Sequence, residues 1–379
     1  MYPLCIAGLT VRRFRMAFCA VATAAVVAVA SGAAMADDVP EPKSAGPTLA
    51  AILENSGITG SGYVAASYYH SSGYGSFHQF DVGHDSFQLD EAGLTLAYQP
   101  KEGFGALVTV AAGDDMRILH AAEDGHDESF DIIQGFVQYA AGSFTLIAGK
   151  YVTLAGAEVI TPTGNTNFSR SLLFFTEPLT HTGIRATYVL SDKLSLIAGV
   201  NNGWNTTSTS YGSKTAEFGV AFTPNKRFAL TAQGYVGKAP AFDAEKILID
   251  AVATVNATDA LSFVMSYDWG KQQQNNAADL DWDGLAGYAN YAINDRWRIS
   301  LRAEYLNDEA GFNTGRAQKL KEGTVTLGFD PAKSFEVRIE LRYDKSNEPT
   351  FLRSVSTASE LQMFADNQTG FAVQGLYKF

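Results

Sequence analysis

Cysteine is nearly absent from this chain of 379 residues: Cys5 and Cys19 are the two it has, and both precede residue 37. Everything after that point therefore lacks disulfides, thiolate metal sites and cysteine nucleophiles. Charge is sparse and one-sided, 40 acidic residues against 28 basic, for a net of −12. A chain so poor in basic patches is not built for nucleic acid. No G-x-S-x-G and no phosphate-binding glycine loop occurs, which removes the commonest hydrolase and nucleotide signatures. Beyond residue 36 there is also no apolar run of the length a membrane-spanning helix needs, although 46% of the residues are hydrophobic. That much apolar surface without a long run has to be distributed by alternation along strands.

What is present at the start is an export signal. Arg12, Arg13 and Arg15 precede Met16 to Ala30, which carry no charge, and Ala34-Met35-Ala36 supplies an A-x-A cleavage site before Asp37. The pattern predicts cleavage after Ala36. The apolar run is too short to span a bilayer comfortably. Cys19 sits early in that run instead of ending it, so it is not a lipid-attachment site. Residues 1–36 contain three of the basic residues and no acid, so the mature chain would hold 25 basic and 40 acidic residues, net −15. Segment 37–57 is expected to be periplasmic, with Pro47 to Asn55 as one short helix presenting Leu49, Ile52 and Leu53. Residues 58–379 are left for the main domain.

That domain alternates throughout. At the C-terminus Phe379, Tyr377, Gly375, Val373 and Phe371 form one face, and Lys378, Leu376, Gln374 and Ala372 the other. Comparable runs fall at 58–70, 87–98, 104–114, 130–140, 143–152, 182–190, 194–204, 215–222, 227–237, 246–255, 261–270, 284–292, 297–306, 323–329, 335–344 and 369–379. A period of two means half-exposed strands, and the count is the even number a bacterial barrel needs. Short connections rich in Pro, Asn, Asp and Gly, such as Pro100-Lys101-Glu102-Gly103 and Asp330-Pro331-Ala332-Lys333, alternate with long polar ones near 71–86, 115–129, 153–181, 205–214, 238–245, 271–283, 307–322 and 345–368. The expected fold is all-β: a transmembrane antiparallel β-barrel of about 16 strands, with short periplasmic turns and long extracellular loops. A terminal aromatic strand also resembles the signal read by the outer-membrane barrel-assembly machinery.

Faces follow from the alternation. Phe335, Val337, Ile339, Leu341 and Tyr343 are assigned to lipid, which turns Glu336, Arg338, Glu340 and Arg342 inward. Trp297, Ile299, Leu301, Ala303 and Tyr305 likewise face out, leaving Arg298, Ser300, Arg302 and Glu304 inside, and Asp268 is on the inward row of its strand. A charge at mid-membrane on the lipid side costs a few kcal/mol, so a charged alternate row implies a wet interior.

The stretch Arg170 to Tyr188, with its core Glu177-Pro178-Leu179-Thr180-His181-Thr182-Gly183, resembles the signature of the outer-membrane β-barrel porin-2 family, and Ala148 to Thr153 with Gly156 to Ile160 is similar to it as well. The resemblance implies a porin-like barrel in the bacterial outer membrane, in contact with lipid and lipopolysaccharide and passing small hydrophilic solutes or ions. Homotrimer formation is implied by analogy. In general porins the third loop narrows the pore. By that resemblance Glu158, Arg170, Glu177 and His181 in loop 153–181 are candidates for the constriction. Arg185, Arg298, Arg302, Arg338 and Arg342 are candidates for a basic inner wall. Glu217, Asp250, Glu304, Glu336 and Glu340 would be its acidic complement. Opposed charges across a narrow water column select by ring charge and diameter; the competing reading is that they pair as Arg–Glu ladders which stiffen the wall.

Other motifs carry less. Asp279-Leu280-Asp281-Trp282-Asp283-Gly284 opens like a calcium loop, but Asn290 stands where a bidentate Glu is needed, so a solvated acidic loop is expected. His120, Glu123, Asp124, His126 and Asp127 read as a hydrated charge cluster in an irregular outer loop. No cofactor and no metal are expected, and no enzyme. The alternatives are a closed barrel that binds or adheres through its loops, and an outer-membrane hydrolase.

Overall fold

The computed structural model describes residues 55–73, 77–209, 212–239, 244–274, 277–355 and 362–379. These residues form a closed antiparallel barrel of sixteen strands. The barrel strands run β1 (Thr59–Ser71), β2 (Ser86–Tyr98), β3 (Gly103–Ala112), β4 (Phe130–Ala141), β5 (Phe144–Val152), β6 (Thr180–Ser191), β7 (Leu194–Asn201), β8 (Thr215–Asn225), β9 (Phe228–Ala239), β10 (Ala244–Asn256), β11 (Leu261–Gln272), β12 (Leu280–Ala292), β13 (Trp297–Asp308), β14 (Gln318–Ala332) and β15 (Phe335–Ser346). A hairpin of β16 (Phe351–Val355) and β17 (Gln362–Ala365) stands apart as a two-stranded sheet, and β18 (Asn367–Lys378) completes the barrel. Each alternating run read from the sequence is one barrel strand. The export segment and the helix expected over Pro47 to Asn55 lie outside the described residues, save Asn55.

Closure is made by the terminal strand. β18 pairs with β1 from Tyr63↔Lys378 to Ser71↔Gly370, and Gly62 and Phe379 exchange two backbone hydrogen bonds of 2.9 Å. The Phe379 ring lies where a Cβ on residue 62 would be, so glycine is what lets the last aromatic seat against the seam. A closed barrel leaves no strand edge unpaired, which is the condition for strands to cross hydrocarbon. The outer face is apolar as assigned: Ile339, Leu341 and Tyr343 are exposed while Arg338, Glu340 and Arg342 are buried. Phe87, Tyr98, Phe104, Tyr139, Tyr188, Trp297 and Phe379 are exposed too, in keeping with interfacial aromatic girdles.

The inward rows are buried because loops pack against them. Loop 113–129 is not irregular: it holds helix α1 (Asp114–Asp124), with Asp114 and Asp115 in its first turn and Gly125 as a left-handed C-cap at φ 81°. Met116 and Leu119, one turn apart, are fully buried against Phe80 of the first loop, Ile133 of β4, and Ile160, Phe174 and Leu179 of the third loop. The third loop contains a 3-10 turn (Pro162–Gly164) and helix α2 (Leu172–Thr176). Leu172 and Leu173 of α2 pack on Trp282, Tyr288, Leu306 and Leu320 of the β12–β14 wall and on Phe351 of the hairpin. Each such side chain contributes about 1.5–3 kcal/mol of burial, so these loops are part of the interior.

Several expectations change. The run 104–114 ends as a strand at Ala112, because the chain turns into α1. The run 194–204 ends at Asn201, and 323–329 is the middle of a longer β14. The last loop carries its own hairpin. The calcium-like motif is no loop: Leu280 onward belongs to β12, with Trp282 turned inward and Asp283 outward, where its Oδ1 accepts from Asn307 at 3.0 Å. Asp279 pairs with Lys271 at 2.6 Å. The His120 cluster is divided: the Glu123 side chain is 3% exposed and ion-paired to Lys150 at 2.6 Å, while Asp127 is exposed and meets Arg117 at 3.1 Å.

Candidate pore constriction

Loop 153–179 crosses into the barrel, and three groups of charged residues hold it. The largest group belongs to β13, β14 and β15. Arg302 donates to Glu158 Oε1 and to the Ser169 carbonyl, both at 2.8 Å, and to Ser169 Oγ at 2.9 Å, and it pairs with Glu304 at 3.0 Å and Glu322 at 3.3 Å. Glu304 accepts from the Leu172 amide at 2.8 Å, at the start of α2. Glu340 accepts from the Phe168 and Ser169 amides at 2.7 and 3.0 Å. Arg338 donates to the Pro162 carbonyl at 3.1 Å and to Glu336 at 2.9 Å. Arg342 donates to the Arg170 carbonyl at 2.6 Å and to Asp344 at 3.0 Å. Arg298 donates to the Thr166 carbonyl at 2.6 Å and pairs with Glu336.

Within the loop, Arg170 folds back on its own chain, donating to the carbonyls of Val159, Phe168 and Ile160 at 2.9, 2.9 and 2.5 Å, with its guanidinium against the rings of Phe80 and Phe174. Glu158 Oε2 accepts from the Ser171 amide at 2.6 Å, and Ser171 caps α2 by accepting from the Phe174 amide at 3.0 Å. The planar five-donor fork of arginine suits it to satisfy carboxylates and loop carbonyls together. Of the residues singled out in sequence, Glu158, Arg170, Arg298, Arg302, Glu304, Glu336, Arg338, Glu340 and Arg342 are all brought into this one network.

A second group sits on the β5–β9 side. Arg185 donates to Glu217 at 2.7 Å and to the Val152 carbonyl at 3.2 Å, above the Tyr151 ring at 4.2 Å. His181 is a wall residue, not a loop residue: it lies in β6, buried, with Nδ1 3.1 Å from the Gly203 carbonyl and its ring stacked on Tyr235 at 4.9 Å. The Tyr235 hydroxyl accepts from the Leu154 amide at 3.2 Å where the loop begins.

The third group has no guanidinium. Glu177, at the end of α2, meets Asp250 of β10 and Asp268 of β11, a directly paired cross-strand couple, with one oxygen from each all within 4.8 Å of one another. So Asp250, expected to oppose an arginine, opposes other acids. Burial, followed by the Asp268 and Asp250 charges, pushes the Glu177 carboxyl well above its ordinary range.

Also joining these groups, and marked by no sequence motif, are Glu322, Asp344, Asp268, Tyr235 and the first loop. There, His78 Nδ1 is 2.6 Å from Asp81 and Nε2 is 3.1 Å from Asp344. Burial and Arg342 oppose protonation of His78, but Asp81 and Asp344 outweigh them and raise it to about 9. Asp344 could have been found by extending the inward row 336, 338, 340, 342 by one step.

Residues 57–379 match the family model described as "Putative beta-barrel porin-2, OmpL-like". No curated protein sequence matches the chain. Among solved structures, the fold is similar to OmpT, an outer membrane protein of Vibrio cholerae, with a TM-score of 0.58 at 14% identity over 85% of this chain and 97% of that one. It is similar to the anion-selective porin from Comamonas acidovorans, with a TM-score of 0.59 at 12% identity over 85% and 99%. The outer membrane channel DcaP of Acinetobacter baumannii gives 0.56 at 12% identity over 85% and 97%. At such identities the likeness is one of fold alone.

Proposed function

This chain belongs to the OmpL-like beta-barrel porin-2 family and is an outer-membrane porin, and we propose that loop 153–179 is the constriction through which small hydrophilic solutes and ions diffuse. The observation that carries this reading is the Arg302–Glu158–Ser169 contact set, which ties the loop to the inner face of β13. On that reading Glu158, Arg170, Glu177, Arg298, Arg302, Glu304, Glu336, Arg338, Glu340 and Arg342 border the passage at the loop, and His181, Arg185, Glu217 and Asp250 border it along β6, β8 and β10. Arginines there are matched by carboxylates, and beyond residue 36 the chain holds 40 acidic residues against 25 basic. The passage therefore favours cations, and selection follows ring charge and diameter.

No catalytic step belongs to this reading, and the protein is a channel and not a hydrolase. Residues 1–36 act as a cleaved export signal, and 37–57 as a periplasmic lead-in to the barrel. The β18 strand ending in Phe379 is the segment the assembly machinery takes up, and lipopolysaccharide is the outer-leaflet neighbour. OmpT of Vibrio cholerae has a trimer form, and a homotrimer is proposed here as well. Single-channel recording across a salt gradient tests the reading: open steps with a cation-selective reversal potential are expected, and Glu158→Ala and Arg185→Ala should shift that potential. A folded, heat-modifiable barrel without conductance would instead support a closed barrel acting through its loops.

A further inference from the structure

The acidic group on the β10–β11 wall differs in kind from the other charged contacts of the loop. Asp250 and Asp268 are fully buried and face each other across a strand pair. Glu177 reaches them from a separate segment and is 6% exposed. Both carboxylate oxygens of Asp250, both of Asp268 and Oε2 of Glu177 are buried without a hydrogen-bond partner. By contrast, Glu158, Glu217, Glu304, Glu322, Glu336 and Asp344 each meet an arginine. An isolated buried carboxylate is strongly disfavoured, and three together more so, unless something positive sits among them.

The chemistry of the donors names the missing partner. All are carboxylate oxygens, the ligand type of hard divalent cations, and no histidine or sulfur is in the group. Calcium takes oxygen ligands at about 2.3–2.6 Å, so ligands on opposite sides of one ion are separated by up to about 5 Å, which accommodates one oxygen from each residue within 4.8 Å. Magnesium requires a tighter octahedron at about 2.1 Å and keeps its waters. Gly156 supports the arrangement: at φ 82° its Cα lies against the Glu177 carboxylate, where any Cβ would overlap the oxygens.

We propose that Glu177, Asp250 and Asp268 form a calcium site that bridges loop 153–179 to the β10–β11 wall. The ion would latch the loop's C-terminal arm to β10–β11, which only β12 separates from β13 and its Arg302 network, so the loop would be held at two neighbouring stretches of the wall. Water or backbone carbonyls would complete the coordination, and three carboxylates around one Ca2+ would leave a net charge of −1.

The test uses the full mature chain, refolded in detergent and stripped of metal with a chelator. Titration with CaCl2 should show one bound ion per chain and a rise in melting temperature that magnesium at the same concentration does not reproduce. Tb3+ should bind in its place. Glu177→Gln and Asp268→Asn, checked as folded by heat-modifiable gel migration, should abolish both effects. Asp279→Asn, in the outer acidic stretch, should leave them intact. A folded wild-type barrel that binds no Ca2+ overturns the site without any variant, as does binding that survives both Glu177→Gln and Asp268→Asn. Binding is measured without conductance, so a conducting barrel that takes no calcium refutes this site alone. A calcium-binding barrel that does not conduct refutes the channel reading alone.

Discussion

The two walls that flank loop 153–179 hold it in opposite ways. On β13–β15, guanidinium groups stand between wall carboxylates and loop carbonyls, and Arg302 alone meets Glu158, Glu304, Glu322 and the Ser169 carbonyl. On β10–β11, Glu177 meets Asp250 and Asp268 with no basic side chain in the group. The first contact is satisfied by the chain itself. The second becomes favourable only when a cation or protons are supplied. The difference teaches that charge can anchor a loop unconditionally on one side and conditionally on the other, so that one edge of a constriction is fixed and the other responds to the medium.

Mutations should separate the two walls. The largest effect is expected from Arg302→Met, which leaves Glu158, Glu304 and Glu322 buried without their partner. A loss of about 3–5 kcal/mol in folding stability, read by urea unfolding in detergent, should accompany larger and noisier single-channel steps. A second effect is set by pH. His78 is raised to about 9 by Asp81 and Asp344, against burial and Arg342. A group raised above its unfolded value of about 6.5 stabilises the fold fully below that pH, and the contribution disappears as pH climbs through about 9. Folding stability should therefore fall by on the order of 3 kcal/mol between about pH 7 and 9.5, read as a lower melting temperature, and His78→Gln should flatten the profile. A pH-independent wild type would contradict this.

Smaller changes sharpen the contrast. In chelator, Glu177→Gln should stabilise the barrel by on the order of 1 kcal/mol, because it removes one of three uncompensated buried carboxylates. The same change of sign is not expected at Glu304, whose carboxylate already meets Arg302. Ser171→Ala removes the cap of α2, where the side chain accepts from the Phe174 amide at 3.0 Å, and should cost about 1 kcal/mol. Thermal melting of the refolded variants measures both.

The barrel was legible because a strand at a lipid boundary must repeat every two residues, and β15 and β18 do so without a break. The inward charged row of β15 came with it. What could not be read was which loops enter the barrel. Met116 and Leu119 are buried only because Phe80, Ile133 and Phe174 converge on them from distant parts of the chain. The acidic first turn and Gly125 are local helix signals within a stretch whose charge makes it read as an irregular outer loop, and no local signal says that a helix so short packs inward. Trp282 misled in the other direction: flanked by Asp281 and Asp283 it resembles a polar loop, yet strand alternation turns it in and the two acids away. Glu322, the third carboxylate on Arg302, lies just ahead of the clean alternation over 323–329 and so outside the run that the pattern marks. Asp250 was recognised as inward, but its neighbour is fixed by cross-strand register with Asp268, which a one-strand pattern does not contain.

The most direct test of the channel account is single-channel conductance of the refolded mature chain in a planar bilayer, beside a variant in which residues 154–178 are replaced by a short glycine-serine link. The account predicts stable open steps from the wild type, selective for cations under a salt gradient, and several-fold larger, less selective steps from the loop-shortened barrel. Equal conductance and equal selectivity in the two would contradict it, since the loop would then not be what narrows the passage.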